Sequence, residues 1–146
     1  MKRLLVLFWI TICLGSYSFK SDKTRLKVKI KEIKEVQGNI GLLVFNQADG
    51  FPDDPSKAFL EKEIKVTGKQ MIIDLYDLPV GDYAIAVVHD VNANSSFDKN
   101  FVGIPKEPFG FSRNKSIFRG LPKFEEASLR LSEVDNETTI DLIELW

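Results

Sequence analysis

The 146-residue chain carries 20 basic and 21 acidic side chains, 44% hydrophobic residues and a single cysteine. That balance excludes the basic composition of a nucleic-acid-binding protein, and a lone cysteine excludes a disulfide framework. The length suits one domain with its own hydrophobic core.

Residues 1–18 stand apart from the rest. Lys2 and Arg3 precede an apolar run from Leu4 to Leu14, followed by Gly15, Ser16, Tyr17 and Ser18, which is the order of a secretory signal peptide. Ser16 and Ser18 supply small residues for cleavage before Phe19, and a site a few residues away is equally compatible. The apolar run is short for a bilayer span. Cys13 follows Ile12 rather than a small residue, which argues against lipidation. The expectation is an exported protein, periplasmic or extracellular, with no membrane anchor after cleavage and a single domain over residues 19–146. Removing 18 residues leaves 128, with 18 basic side chains against 21 acidic ones and no thiol.

Along the domain, Leu26, Val28 and Ile30 alternate with Lys27, Lys29 and Lys31, a period-two pattern that predicts a half-buried strand over 24–33. The lysine row is either a binding stripe or, preferably, the guard of an edge strand against edge-to-edge pairing. After a turn at Gln37, Gly38 and Asn39, the continuous apolar run Ile40–Phe45 predicts a strand covered on both faces, and the two runs read as a hairpin. The polar loop 46–57 contains Asp49, Asp53 and Asp54, three carboxylates that could serve a nearby metal or simply face solvent. Asp54 before Pro55 predicts a short helix to about Glu61. Strands are predicted at 63–66 and 70–76 around Gly68, and at 83–90, where both faces are apolar and the strand is therefore central. Gly81 two residues before Tyr83 is similar to a tyrosine corner, in which the phenol bonds back to the preceding loop. Two further strands, at 127–131 and 138–145, close the chain. These strands predict an all-β, antiparallel Greek-key β-sandwich of about seven strands, of transthyretin/immunoglobulin-like type, with one long irregular loop. A closed barrel is the alternative.

The candidate site is the exit from the strand at 83–90. In HDVNANSSFDKN, Asp90, Asn92, Asn94, Ser96 and Asp98 fall at every second position, similar to a calcium loop whose oxygens come from positions 1, 3, 5, 7 and 9. Three departures weaken the match: Ser95 where that motif has glycine, Phe101 where it has a bidentate glutamate, and no flanking helices. Two formal charges, from Asp90 and Asp98, predict weak binding of the kind seen in extracellular modules. The competing reading is a pure turn, because Asn and Asp bond their own backbone and tolerate left-handed conformations. His89 continues the row of Tyr83, Ile85 and Val87, the position of a packed residue rather than a base. There is no nucleophile elbow and no phosphate loop, and no pair of acids is singled out for glycosidase chemistry.

Between Lys99 and Glu126, three glycines and three prolines interrupt every window, yet the stretch from Phe97 to Phe124 holds six of the eleven phenylalanines. A disordered linker would not carry so many. They pin the loop onto the sandwich, the preferred reading, or line a pocket; Phe101, Phe109 and Phe111, with Arg113, are the candidate contacts for a protein or glycan partner.

The run LPVGDYAIAVVHDVNANSSFDKNFVGIPKEPFGFSRN, from Leu78 to Asn114, resembles a family of small bacterial secreted domains of unknown function. Its marks are a Gly-x-Tyr strand, a His-Asp-x-Asn-x-Asn loop and a Gly-Ile-Pro-Lys-Glu segment, with Ser95 where the family has glycine. The resemblance implies an exported prealbumin-like or immunoglobulin-like sandwich without an established reaction. Transthyretin-like hydrolases of a purine-degradation intermediate end in Tyr-Arg-Gly-Ser, whereas this chain ends Ile143, Glu144, Leu145, Trp146, so that activity is rejected. The functional expectation is an exported non-enzymatic module with a calcium-ordered loop and an aromatic interaction loop. A metal-free glycan- or peptide-binding module and a hydrolase of unknown substrate are the alternatives.

Overall fold

The computed structural model describes residues 23–96, 100–102, 105–114, 117 and 120–145; the leader segment and the boundary after Ser18 lie outside them. Eight strands among the described residues form two sheets. β1 (Lys23–Lys31), β4 (Met71–Pro79) and β8 (Asn136–Asp141) make a three-stranded sheet in the order β4-β1-β8. β2 (Asn39–Phe45), β3 (Leu60–Lys65), β5 (Gly81–Asp90) and β6 (Phe109–Phe111) run in the order β3-β2-β5-β6, and β7 (Leu129–Leu131) completes this five-stranded sheet by pairing with β5. No helix among them is long and apolar enough to cross a membrane.

The alternating rows meet between the sheets. Leu26, Val28 and Ile30 of β1 and Met71, Ile73 and Leu75 of β4 pack against Ile40, Leu42 and Val44 of β2 and Tyr83, Ile85 and Val87 of β5 in one buried cluster. Successive strand residues face opposite ways, so the other face of β5 is also decided. Ala84 and Ala86 lie outside the main core, in a second cluster with Phe109, Phe111 and Ala127, against which Leu43, Phe51, Val88 and Phe124 pack. The five-stranded sheet is thus covered on both sides, as the continuous apolar runs in β2 and β5 required.

Several expectations change. β1 is the centre of its sheet, antiparallel to β4 and parallel to β8, so the lysine row guards no edge and the sandwich is not purely antiparallel. β1 and β2 form no hairpin: they lie in different sheets. Residues 32–38 carry the chain across the roughly 10 Å between layers, with Glu32 at φ 61° and Gly38 at φ 70°. A Cβ on Gly38 would sit 2.0 Å from the Asp90 carbonyl oxygen, so only glycine fits the strand crossing there. The helix expected after Asp54 is one 3-10 turn, Pro55–Lys57, whose cap is as predicted: the Asp54 carboxylate accepts from the Ser56 N–H at 3.0 Å. Pairing of Leu60–Lys65 with β2 ends it. The tyrosine corner forms, with Tyr83 Oη donating to the Pro79 carbonyl at 3.0 Å.

The irregular loop contains a strand. β6 adds Phe109–Phe111 to β5, and a short helix, α1 (Phe124–Ala127), follows. On its other side Phe109 exchanges two backbone hydrogen bonds with Ile143, at 3.0 and 2.8 Å. A Cβ on Gly110 would meet Ile140 Cγ2 at 2.7 Å. Glycine there lets the two sheets close on each other along this side.

Candidate functional site

The outer face of the five-stranded sheet holds a groove. Register sets its floor: Glu63, Gly41, Val88 and Phe109 make one row across β3, β2, β5 and β6, and Glu61, Leu43, Ala86 and Phe111 make the next. Gly41 lacks a side chain at the middle of a face where its neighbours have one, and a Cβ built on it would find only the Val88 carbonyl oxygen, at 3.9 Å. Strand position 41 is therefore open space rather than a packing constraint. Phe109 and Phe111 wall one side, with ring centroids 5.7 Å apart. Pro52, Pro55 and Leu121 close over the other parts, and the cavity measures about 220 Å3.

The walls are rigid for a physical reason. Phe51 stands at the hub of edge-to-face contacts with Phe45, Phe111 and Phe124, at 5.4, 6.1 and 6.1 Å between centroids, the geometry that aromatic quadrupoles prefer. Below them β6 ends at Phe111 opposite Ala86, and β7 begins at Leu129 opposite Tyr83. Ser112 bridges this gap: its buried hydroxyl accepts from the Ile85 N–H at 2.9 Å and donates to the Ala127 carbonyl at 2.6 Å. The hydroxyl thus completes the β5 backbone and anchors α1 with one atom.

The rim is acidic. Asp53, Glu61, Glu63 and Asp90 line the groove against one base, Lys62. Asp90, Ser95 and Ser96 form the end nearest the Asx-rich loop. There the carboxylate and amide oxygens bind their own backbone. Asp90 Oδ1 and Oδ2 accept from Asn94 N at 3.2 Å and Ser95 N at 2.7 Å, Asn92 Oδ1 accepts from Asn94 N at 3.0 Å, and Asn94 Oδ1 accepts from Ser96 N at 2.8 Å. Ala93 and Ser95 adopt φ 55° and 57°, the left-handed turns that Asx side chains support. Of the five candidate calcium ligands, Asp98 lies outside the described residues. Asp90 is buried, and Asn92, Asn94 and Ser96 are exposed.

The aromatic candidates separate. Phe109 and Phe111 are 2% and 6% exposed, while Phe101 is 99% exposed and does not line the groove. The two buried rings pin the segment and leave almost none of their surface open to the cavity. Arg113, at φ 63°, donates from Nη1 to the Ser128 carbonyl at 3.3 Å and also lies off the groove. His89 is fully buried, with Nε2 2.8 Å from the Gln37 carbonyl. A carbonyl only accepts, so Nε2 carries the proton. The His89 N–H donates to the Pro108 carbonyl at 2.8 Å, so backbone and ring both tie it into the fold. Nδ1 has no hydrogen-bond partner among the described residues. Burial also raises the pKa of the Tyr83 phenol, consistent with its role as a donor in the corner.

A family model described as an uncharacterized protein conserved in bacteria, DUF2141, matches residues 28–140. The chain belongs to this family. The match runs from β1 into β8, so the groove and the Asx-rich loop both lie within the DUF2141 region. No curated protein and no solved structure matches the chain.

Sequence reasoning missed the groove. Its signal was Gly41 inside the apolar run Ile40–Phe45, since a glycine within a strand often marks close approach by a ligand or another backbone.

Proposed function

We propose that this DUF2141 protein is an exported, non-enzymatic binding module whose groove takes the apolar side chain of a peptide with a basic neighbour. The observation that carries the reading is the gap at Gly41 between Leu43, Val88 and the Phe109–Phe111 wall, under a rim of four acids and one base. A cavity of about 220 Å3 is smaller than the roughly 300–1,000 Å3 that encloses a drug-sized ligand. It suits one side chain or a fused ring pair. Burial of that apolar group supplies affinity, and the rim selects charge by complementarity. Export rests on the leader-like residues 1–18. A peptide is preferred to a glycan because the buried rings offer no exposed face for stacking on a sugar. The metal-free form is preferred to a calcium-ordered loop because the Asp90, Asn92 and Asn94 oxygens are turned to the loop's own backbone N–H groups, the arrangement of a self-capped turn.

Three probes of similar shape test charge and shape together: tryptamine, indole and indole-3-acetate, titrated into the 15N-labelled protein. Amide shifts at Gly41, Val88 and Phe109, with affinity falling in that order, are expected. Equal affinity for the cation and the anion would contradict the acidic rim, and shifts spread elsewhere would contradict the groove.

A further inference from the structure

The sandwich has four sheet edges, and they are treated differently. β6 and the chain after β8 close one side through Phe109 and Ile143. β3 and β4 end the two sheets on the other. An unpaired strand exposes N–H and C=O groups that template another chain unless charges or bulges prevent it. β3, LEKEIK, carries Glu61, Lys62, Glu63 and Lys65 in six residues. β4, MIIDLYDLP, is three residues longer and carries only Asp74 and Asp77. Asp77 is a left-handed residue, at φ 60°, close to where the register with β1 slips between Thr24 and Leu26. The irregularity blunts one end of β4 and leaves Met71–Tyr76 regular. Among the described residues no strand lies along its free side.

We propose that β4 pairs antiparallel with β4 of a second copy of this chain, joining the two three-stranded sheets into one of six. The sequence of the edge selects a copy of itself. A two-fold axis at Asp74 sets Ile72, 61% exposed, against Tyr76, 62% exposed, of the other copy, and the reverse pair follows by symmetry. An aromatic opposite a β-branched residue is a favourable cross-strand pair. The two Asp74 side chains meet at the axis, and each is already held by its own Arg25, whose Nε and Nη2 donate to Oδ1 at 3.1 and 2.8 Å. Arg25 also sits 5.4 Å over the Tyr76 ring, which orients the ring on the shared face. On the inner face Ile73 meets Leu75 of the second copy, so the cores run on. A six-residue pairing is only about 20 Å long. Its contact falls at the small end of specific interfaces, below ~1,200 Å2, so the dimer is reversible and depends on concentration.

Sedimentation equilibrium of the full-length chain tests this. The wild-type protein is expected to rise toward twice the chain mass with concentration. Ile72→Lys/Tyr76→Lys should weaken association at least tenfold, and Lys65→Glu on β3, away from the groove, should leave it unchanged. In a Cys13→Ser background, oxidation of Ile72→Cys/Tyr76→Cys should give a covalent dimer, while Tyr76→Cys alone should not. This cross-link decides the matter even if the double lysine variant fails to fold. A wild-type protein that stays monomeric at millimolar concentration would overturn the proposal. So would a dimer that survives the lysine pair, or one that responds to Lys65→Glu. The groove lies on the other sheet, so none of these results depends on its ligand.

Discussion

On the outer face of the five-stranded sheet, Ala84, Ala86, Phe109 and Phe111 are buried together with Ala127, and Phe51 and Phe124 pack over them. On the outer face of the three-stranded sheet, Ile72 and Tyr76 stand in solvent near Arg25, Lys27 and Lys29, with Lys29 held by Glu137 at 2.6 Å. Side-chain size at alternate strand positions decides which face gains a third layer. Ala84 and Ala86 are short enough for aromatic rings to settle over the backbone, and Gly41 leaves a gap beside them, whereas the long lysines of β1 keep their charged ends in water. The covered face can hold a pocket. The bare face can only offer its surface or its edge.

Substitutions can break this contrast. The largest effect belongs to Phe111→Ala, which removes a ring from the aromatic layer. It should cost about 3–5 kcal/mol, the range for a buried phenylalanine, measured by urea denaturation. Ser112→Ala strands the Ile85 N–H and the Ala127 carbonyl together. With at least ~1 kcal/mol for each buried group left unpaired, the loss should be about 2–3 kcal/mol. Tyr83→Phe removes one hydrogen bond and should cost about 1 kcal/mol. Its effect also depends on pH. Burial raises the folded phenol's pKa above its ordinary value, so Tyr83 contributes stability that is full below about pH 10 and is lost as pH rises through the folded pKa. The wild-type protein should therefore lose stability in strong alkali, and the phenylalanine variant should lose less.

The smallest effect is expected on the bare face. A hydrogen bond from Lys29 lowers the pKa of Glu137. A lowered carboxylate contributes stability above its unfolded pKa and loses it as pH falls through the folded one. Glu137→Gln should consequently lower the melting temperature slightly at neutral pH and flatten the acid limb by the same small amount, because the pair is solvated.

Much of this arrangement is legible in the sequence. Strict alternation in Leu26–Lys31 and the two-sided apolar run in Tyr83–Asp90 marked a half-wet strand and a central one, and the Gly81–Tyr83 corner formed as expected. Pairing was not legible, because period-two patterns name a buried face and not a neighbour. For that reason the pattern alone reads β1 as an edge and as half of a hairpin. β6 was hidden because Phe109–Phe111 is too short for a period and contains a glycine; its strand character comes from β5 on one side and Ile143 on the other. The alternation of Asp90, Asn92 and Asn94 was real. In the fold these side chains cap backbone N–H groups, which look the same in sequence as oxygens waiting for an ion.

Gly41→Leu addresses the central claim most directly. A side chain there has room, by the 3.9 Å clearance to Val88, and a strand gains by losing a glycine. The variant should melt at or above the wild-type temperature. Titrated with tryptamine and followed by 15N NMR, the wild-type protein should show saturable shifts at Val88 and Phe109, and the Gly41→Leu protein should show none. Equal binding by both proteins would mean that the gap on the covered face is not the site.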